Sequence, residues 1–128
     1  MKLLLDSHVL IWWASSSEKI SKKVYNIIND TNNTLLFSLA SVWEMQIKFQ
    51  LGKLNLNSNL PTLIDNQQRV NNLQLLPIEL NHIYALNNLP PHHKDPFDRL
   101  LIAQAIVEKI PLASIDEVFD NYPIQRLW

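Results

Sequence analysis

Asp95-Pro96-Phe97-Asp98-Arg99-Leu100-Leu101-Ile102-Ala103-Gln104-Ala105 sets two acids three residues apart at the mouth of an apolar helix. Pro96 suits the first helical position, where a missing N–H costs nothing. Asp95 then falls at the N-cap and Asp98 in the first turn. From Leu100 to Ile106 only Gln104 is polar, and a helix apolar nearly all round is a buried one. Asp98 is therefore carried on a core element, near the interior, at the positive end of the helix. A carboxylate so placed either caps the helix or holds something positive.

Outward from this stretch, the chain reads as one domain spanning 1–128. Its 128 residues, 47% of them hydrophobic, are enough for a real core. There is no cysteine, hence no disulfide and no thiolate metal site. Eleven basic and 12 acidic residues leave a net charge of −1. Bulk charge thus gives nucleic-acid binding no support, and any such binding must come from a local patch. No apolar run approaches the ~18 residues of a membrane span. Asp6 comes too early for a signal-peptide apolar region. These features predict a soluble, cytoplasmic protein. Glycine occurs once, where average usage of ~7% would give about nine. Turns must be built from Asn, Asp, Ser and Pro.

Strand and helix patterns alternate along the chain. Residues 2–5 form a short apolar run ending in Asp6, a buried strand. Ser7 to Ala14 reads as a short helix, and Ser15-Ser16-Ser17 as a loop that supplies caps. Ile20, Val24, Ile27 and Ile28 keep helical spacing. Thr34 to Ser38 is a second strand, and Ser41-Val42-Trp43-Glu44 opens a helix that Gly52 stops. Leu60-Pro61 begins a polar helix through about Arg69. Leu73 to Ile78, broken by Pro77, is an edge strand. Glu79 to Asn88 is a helix with Leu80, Ile83 and Leu86 inward. The Asp95 helix runs to about Lys109. Pro111 to Asp116 is a fourth strand, Glu117 to Tyr122 a short helix or turn, and Ile124 to Trp128 a final strand. The pattern predicts a three-layer α/β/α domain with a mostly parallel sheet of about five strands.

In such sheets sites form beyond the carboxyl ends of the strands. Asp6 ends the first strand, Glu44 lies in the helix after the second, Asp98 opens the helix before the fourth, and Asp116 ends the fourth. Four acids from four segments are thus expected on one rim. Two like charges ~4 Å apart repel by ~4 kcal/mol at an effective dielectric of 20, so such a cluster calls for protons or a cation. Oxygen ligands without cysteine favour Mg²⁺ or Mn²⁺. Such an ion activates water and neutralises a phosphate, which is the chemistry of metal-assisted phosphodiester hydrolysis. Each acid also has a plain structural reading. Ser41-x-x-Glu44 matches a capping box, Asp95 and Asp98 suit a helix start, and Asp6 and Asp116 can simply end strands.

Leu4-Leu5-Asp6-Ser7-His8, Ser38-x-x-Ser41-x-x-Glu44, His93-Lys94-Asp95-Pro96-Phe97-Asp98-Arg99 and Ser114-Ile115-Asp116 together resemble the PIN-domain nucleases, most of all the VapC-type toxins of toxin–antitoxin pairs. The resemblance runs the length of the chain. It implies a five-stranded parallel sheet and a Mg²⁺- or Mn²⁺-dependent endoribonuclease. It also implies a cognate antitoxin and homodimers. Asp6, Glu44, Asp98 and Asp116 match the family's acidic quartet, as catalytic residues and metal ligands. Asp95 matches an accessory acid or cap. Ser7 and Ser114 stand where the family commonly has threonine, and keep the hydroxyl.

Other residues carry weaker signals. Lys48, one turn after Glu44, is either an ion-pair partner or a base near substrate phosphate. Arg99 either clamps a phosphate or makes an internal salt bridge. His92 and His93 read as a solvated loop or an RNA contact rather than metal ligands. Trp12, Trp13, Trp43 and Tyr25 read as core or dimer surface. The competing function is a catalytically silent binding or regulatory module on the same fold, which is expected to have lost one of the four acids. A phosphate-receiver domain needs paired acids after the first strand, and a haloacid-dehalogenase-type phosphatase needs Asp-x-Asp there. Asp6-Ser7-His8 offers neither.

Overall fold

Leu3, Leu4 and Leu5 have no exposed surface, because the strand they form is covered on both faces and paired on both edges. The computed structural model describes all residues, Met1–Trp128. Its strands are β1 (Lys2–Leu5), β2 (Thr34–Ser38), β3 (Gln74–Leu76), β4 (Leu112–Ala113) and β5 (Arg126–Leu127). They form one sheet in the order β3-β2-β1-β4-β5, and all four pairings are parallel. β1 pairs through Leu4 with both Leu36 and Leu112. β1 lies between β2 on one side and β4 on the other, and the strand order reverses there, which makes the crevice where parallel sheets place their sites.

The helices are α1 (Ser7–Ser15), α2 (Lys22–Ile28), α3 (Leu39–Gln50), α4 (Leu60–Asn71), α5 (Leu80–Ala85) and α6 (Pro96–Glu108), with 3₁₀ turns at Ser17–Lys19, Leu86–Asn88 and Glu117–Asn121. The period-two alternation of the strands divides the core. Leu3, Leu5 and Phe37 pack with Val9, Leu10, Val24, Leu60, Leu63 and Met45 on one face. Leu4, Leu76 and Leu112 pack with Leu101, Ile102, Ala105 and Phe119 on the other. This is the expected three-layer α/β/α sandwich. Five consecutive residues of α6, Leu101 to Ala105, are buried. Gln104 is tolerated there because it is fully paired. Its Oε1 accepts from Ser38 Oγ, and its Nε2 donates to Pro77 O at 3.2 Å.

Three local expectations are corrected. α3 begins at Leu39, capped by Ser38 Oγ, which accepts from Ala40 N at 3.0 Å, so Ser41 and Glu44 form no capping box. α2 starts only at Lys22, under Ser21 rather than the Ser15–Ser17 loop. α5 is rotated: Leu80 and Ile83 point outward while His82 is fully buried. Two polar bonds to the His82 ring fix that rotation, and apolar spacing cannot register them. The single glycine acts as expected. Gly52 adopts φ +69, with Gly52 N donating to Phe49 O and Lys53 N to Lys48 O, which is a Schellman stop. Elsewhere Asn72 and Lys109 take left-handed φ values of 54 and 56.

Candidate active site

Asp6, Glu44, Asp95, Asp98 and Asp116 line one cavity of about 260 Å³ at the carboxyl rim of the sheet, with Ser7, His8, Lys48 and Ile115. Each acid arrives by a separate route. Asp6 follows β1 directly and caps α1, its Oδ1 accepting from Ser7 N at 2.7 Å. Its Oδ2 accepts from Ser114 Oγ at 2.8 Å. The same Ser114 Oγ accepts from Asp116 N at 3.0 Å, so one buried hydroxyl ties the ends of β1 and β4 together. Asp116 caps the 3₁₀ turn after β4 through Val118 N. Asp95 caps α6, accepting from Phe97 N and Asp98 N at 2.9 and 3.1 Å. Glu44 and Asp98 cap nothing. Glu44 stands in the second turn of α3, and Asp98 Oδ2 accepts from His93 Nε2 at 2.7 Å. Capping and cavity lining are therefore not alternatives here, since Asp6, Asp95 and Asp116 do both.

Too little positive charge reaches this cluster. Lys48 Nζ lies 3.8 Å from Glu44 Oε2, with the lysine side chain 46% exposed. Burial pushes the Glu44 carboxyl up to about 7; Lys48 opposes the shift, and Asp95, Asp98 and Asp6 add to it. Burial also raises Asp98 against the His93 hydrogen bond, and raises Asp6 against Ser114. Ser7 Oγ is buried with no hydrogen-bond partner, an orphaned donor beside the acids. Carboxylates, hydroxyls and an unmet charge deficit form an oxygen donor set for a hard divalent cation such as Mg²⁺ or Mn²⁺.

Arg99 is not in this cavity. Its guanidinium turns back to donate to Pro90 O at 2.9 Å, His93 O at 3.2 Å and Leu89 O at 3.3 Å. Arg99 thus makes its contacts with these three carbonyls and does not line the cavity. Sequence reasoning missed His93 as a partner of Asp98 and His8 as a lining residue. The only signal for His93 was its place two residues ahead of the capping Asp95. Trp12 and Trp13 pack partly against the core. Trp43, 59% exposed, sets its ring edge-on to Phe97 at 5.1 Å.

Two other features compete for attention. A larger cavity, about 500 Å³ between α1, α4 and the 55–58 connection, is lined by no ionisable side chain. Glu79, His82 and Glu108 cluster at the far end of α6. There Glu79 N donates to His82 Nδ1 at 3.0 Å, and His82 Nε2 lies 3.0 Å from Glu108 Oε2. With Nδ1 accepting, Nε2 carries the proton, so the ring keeps no lone pair for an ion.

The family model for the PIN domain matches residues 3–125. No curated protein matches the chain in sequence. Among solved structures it is similar to VapBC2 from Rickettsia felis bound to a promoter DNA fragment, with a TM-score of 0.76, 16% identity, and 99% of this chain and 98% of that one covered. It is also similar to DNA-bound VapBC from Salmonella typhimurium, with a TM-score of 0.69, 13% identity, and 99% and 97% covered. FitAcB from Neisseria gonorrhoeae follows with a TM-score of 0.69, 14% identity, and 98% and 96% covered. At such identities the likeness is one of fold.

Proposed function

The chain belongs to the PIN-domain family, and we propose that it is a Mg²⁺- or Mn²⁺-dependent endoribonuclease, the toxin of a toxin–antitoxin pair. The observation that carries this reading is the cavity in which Asp6, Glu44, Asp98 and Asp116 meet without matching positive charge. In this reading those four residues hold the cation. When bound, it supplies a water of lowered pKa and neutralises charge on the phosphate. The chain's own groups do the rest. Ser114 keeps Asp6 and the Asp116 backbone in register. Glu44, whose carboxyl burial raises to about 7 without a cation, gains its missing counter-charge when the cation binds. Ser7 Oγ is free to donate into the site. Lys48, at the mouth, is placed to meet a substrate phosphate. Asp95 caps α6 and adds negative charge.

The partners follow the same reading. Two of the similar structures are VapBC complexes with bound DNA, and another similar structure, VapBC-5 from Mycobacterium tuberculosis, is of a member of the VapBC family of toxin–antitoxin systems; we assign this chain an antitoxin partner of that kind in the cytoplasm. No helix is long and apolar enough to cross a membrane. α3 and α5 leave Leu39, Trp43, Leu80, Ile83 and Tyr84 exposed, apolar surface that supports a homodimer.

The test is cleavage of a small-RNA pool by antitoxin-free protein with Mg²⁺ or Mn²⁺, beside EDTA and Asp98→Asn controls. Discrete fragments lost in both controls are expected. No cleavage, together with no cation-dependent rise in melting temperature, would select the silent binding module instead.

A further inference from the structure

Residues 90–94 lead into α6, yet no backbone-to-backbone hydrogen bond holds them. Their tethers are side chains. His92 meets Tyr122 edge-on at 5.5 Å, and Arg99 grips the carbonyls of Leu89, Pro90 and His93. Arg99 sits in the first turn of α6, so the helix clamps the very loop that delivers it. The loop in turn sends His93 back onto that first turn, where its Nε2 lies 2.7 Å from Asp98 Oδ2. An ionised carboxylate only accepts, so the ring nitrogen donates.

We infer that His93 is a positioning residue for the cation site, and that Arg99 acts through it. This rests on the reading of Asp98 as a cation ligand. The His93 bond engages Oδ2 and restrains the carboxylate, which leaves Oδ1 as the oxygen available to a cation in the cavity that Asp98 lines. Arg99 supplies what lysine cannot, a planar fork of donors that reaches three carbonyls at once. Partners of this kind, one bond removed from an ion, change metal affinity by roughly 10- to 100-fold when removed.

The experiment is calorimetric titration of Mn²⁺ into the full chain and its variants, with the metal-free melting temperature as a folding control. His93→Ala is expected to weaken Mn²⁺ binding by roughly tenfold or more with the metal-free melt unchanged. His93→Gln, which keeps an N–H donor, should recover most of the loss. Arg99→Lys keeps the positive charge and loses the clamp, so it should weaken binding as His93→Ala does, and the double variant should be no worse than the worse single. Wild-type affinity in His93→Ala or Arg99→Lys would overturn the brace, as would additive losses. A wild-type chain that binds no cation would overturn the cation-site reading itself, and this inference with it.

Discussion

α6 carries a histidine–carboxylate pair at each end, and the two differ in what surrounds them. At the C-terminal end the His82 ring is fully buried and both of its nitrogens are matched, to Glu108 Oε2 and to Glu79 N, each at 3.0 Å. At the N-terminal end His93 and Asp98 are each 21% exposed, and Asp98 opens onto a cavity shared with Asp6, Glu44, Asp95 and Asp116. The first network is closed, and the burial of the His82 ring is compatible with stability because both of its nitrogens are paired. The second is open. Burial raises the Glu44, Asp98 and Asp6 carboxyls above their ordinary range, a pattern that marks a ligand site more often than a structural one.

The sharpest way to break this contrast is to neutralise one carboxylate at each end. Asp98→Asn should lower RNA cleavage by roughly a thousandfold or more, equivalent to about 4 kcal/mol of lost transition-state stabilisation. Glu108→Gln should leave the rate of the folded enzyme unchanged. Thermal melts in EDTA supply the sign: Asp98→Asn should be as stable as wild type or more so, since it removes a half-buried, repelled charge. A clear loss of metal-free stability would make Asp98 a structural partner.

Truncation reverses the roles of the two ends. His82→Ala leaves a void and strands the Glu79 N–H and the Glu108 carboxylate, and should cost about 2–4 kcal/mol in urea unfolding. Added Mn²⁺ should not selectively restore that loss.

Acidity sharpens the contrast further. The folded-state pKa of Glu44, about 7 against an ordinary 4.5, is raised. Its carboxyl therefore opposes folding only once ionised. The metal-free protein should be most stable below about pH 4.5 with respect to this group and lose ~1–3 kcal/mol as pH rises through 7. Asp6 and Asp98 shift in the same direction. Saturating Mn²⁺ should flatten the profile, as read by melting temperature against pH with and without EDTA. The smallest effect sits just beyond Glu108. Lys109→Gly, at φ 56, should stabilise the chain by about 1 kcal/mol in the same urea assay without altering cleavage.

Much of this was legible in the residues. Thr34 to Ser38 is the strand its apolar run predicts, Asp95 and Pro96 start α6 as cap and first residue, and Gly52 ends α3. These are local signals, each written in the residues that form the element. The rim of acids was legible because parallel topology sends strand ends to one side. What escaped depends on contacts between segments. Leu80, Ile83 and Leu86 keep helical spacing, yet the bonds of His82 decide which side of α5 faces in. Ser41 and Glu44 satisfy a capping pattern, yet the strand ends at Ser38 and its hydroxyl reaches the helix first. Arg99 was read as a phosphate clamp or a salt-bridge partner, because nothing in sequence shows that three carbonyls curl back towards it.

The division between capping and non-capping acids bears on how such domains decay. A copy of this gene released from selection for cleavage would still need Asp6 to start α1, Asp95 to start α6 and Asp116 to shape the turn after β4. Selection for folding alone would preserve those three long after activity was gone. Glu44 and Asp98 would drift first, since neither caps an element of the fold. In a population of diverged relatives, these two positions would separate working enzymes from inert descendants, while the more visible aspartates would mislead.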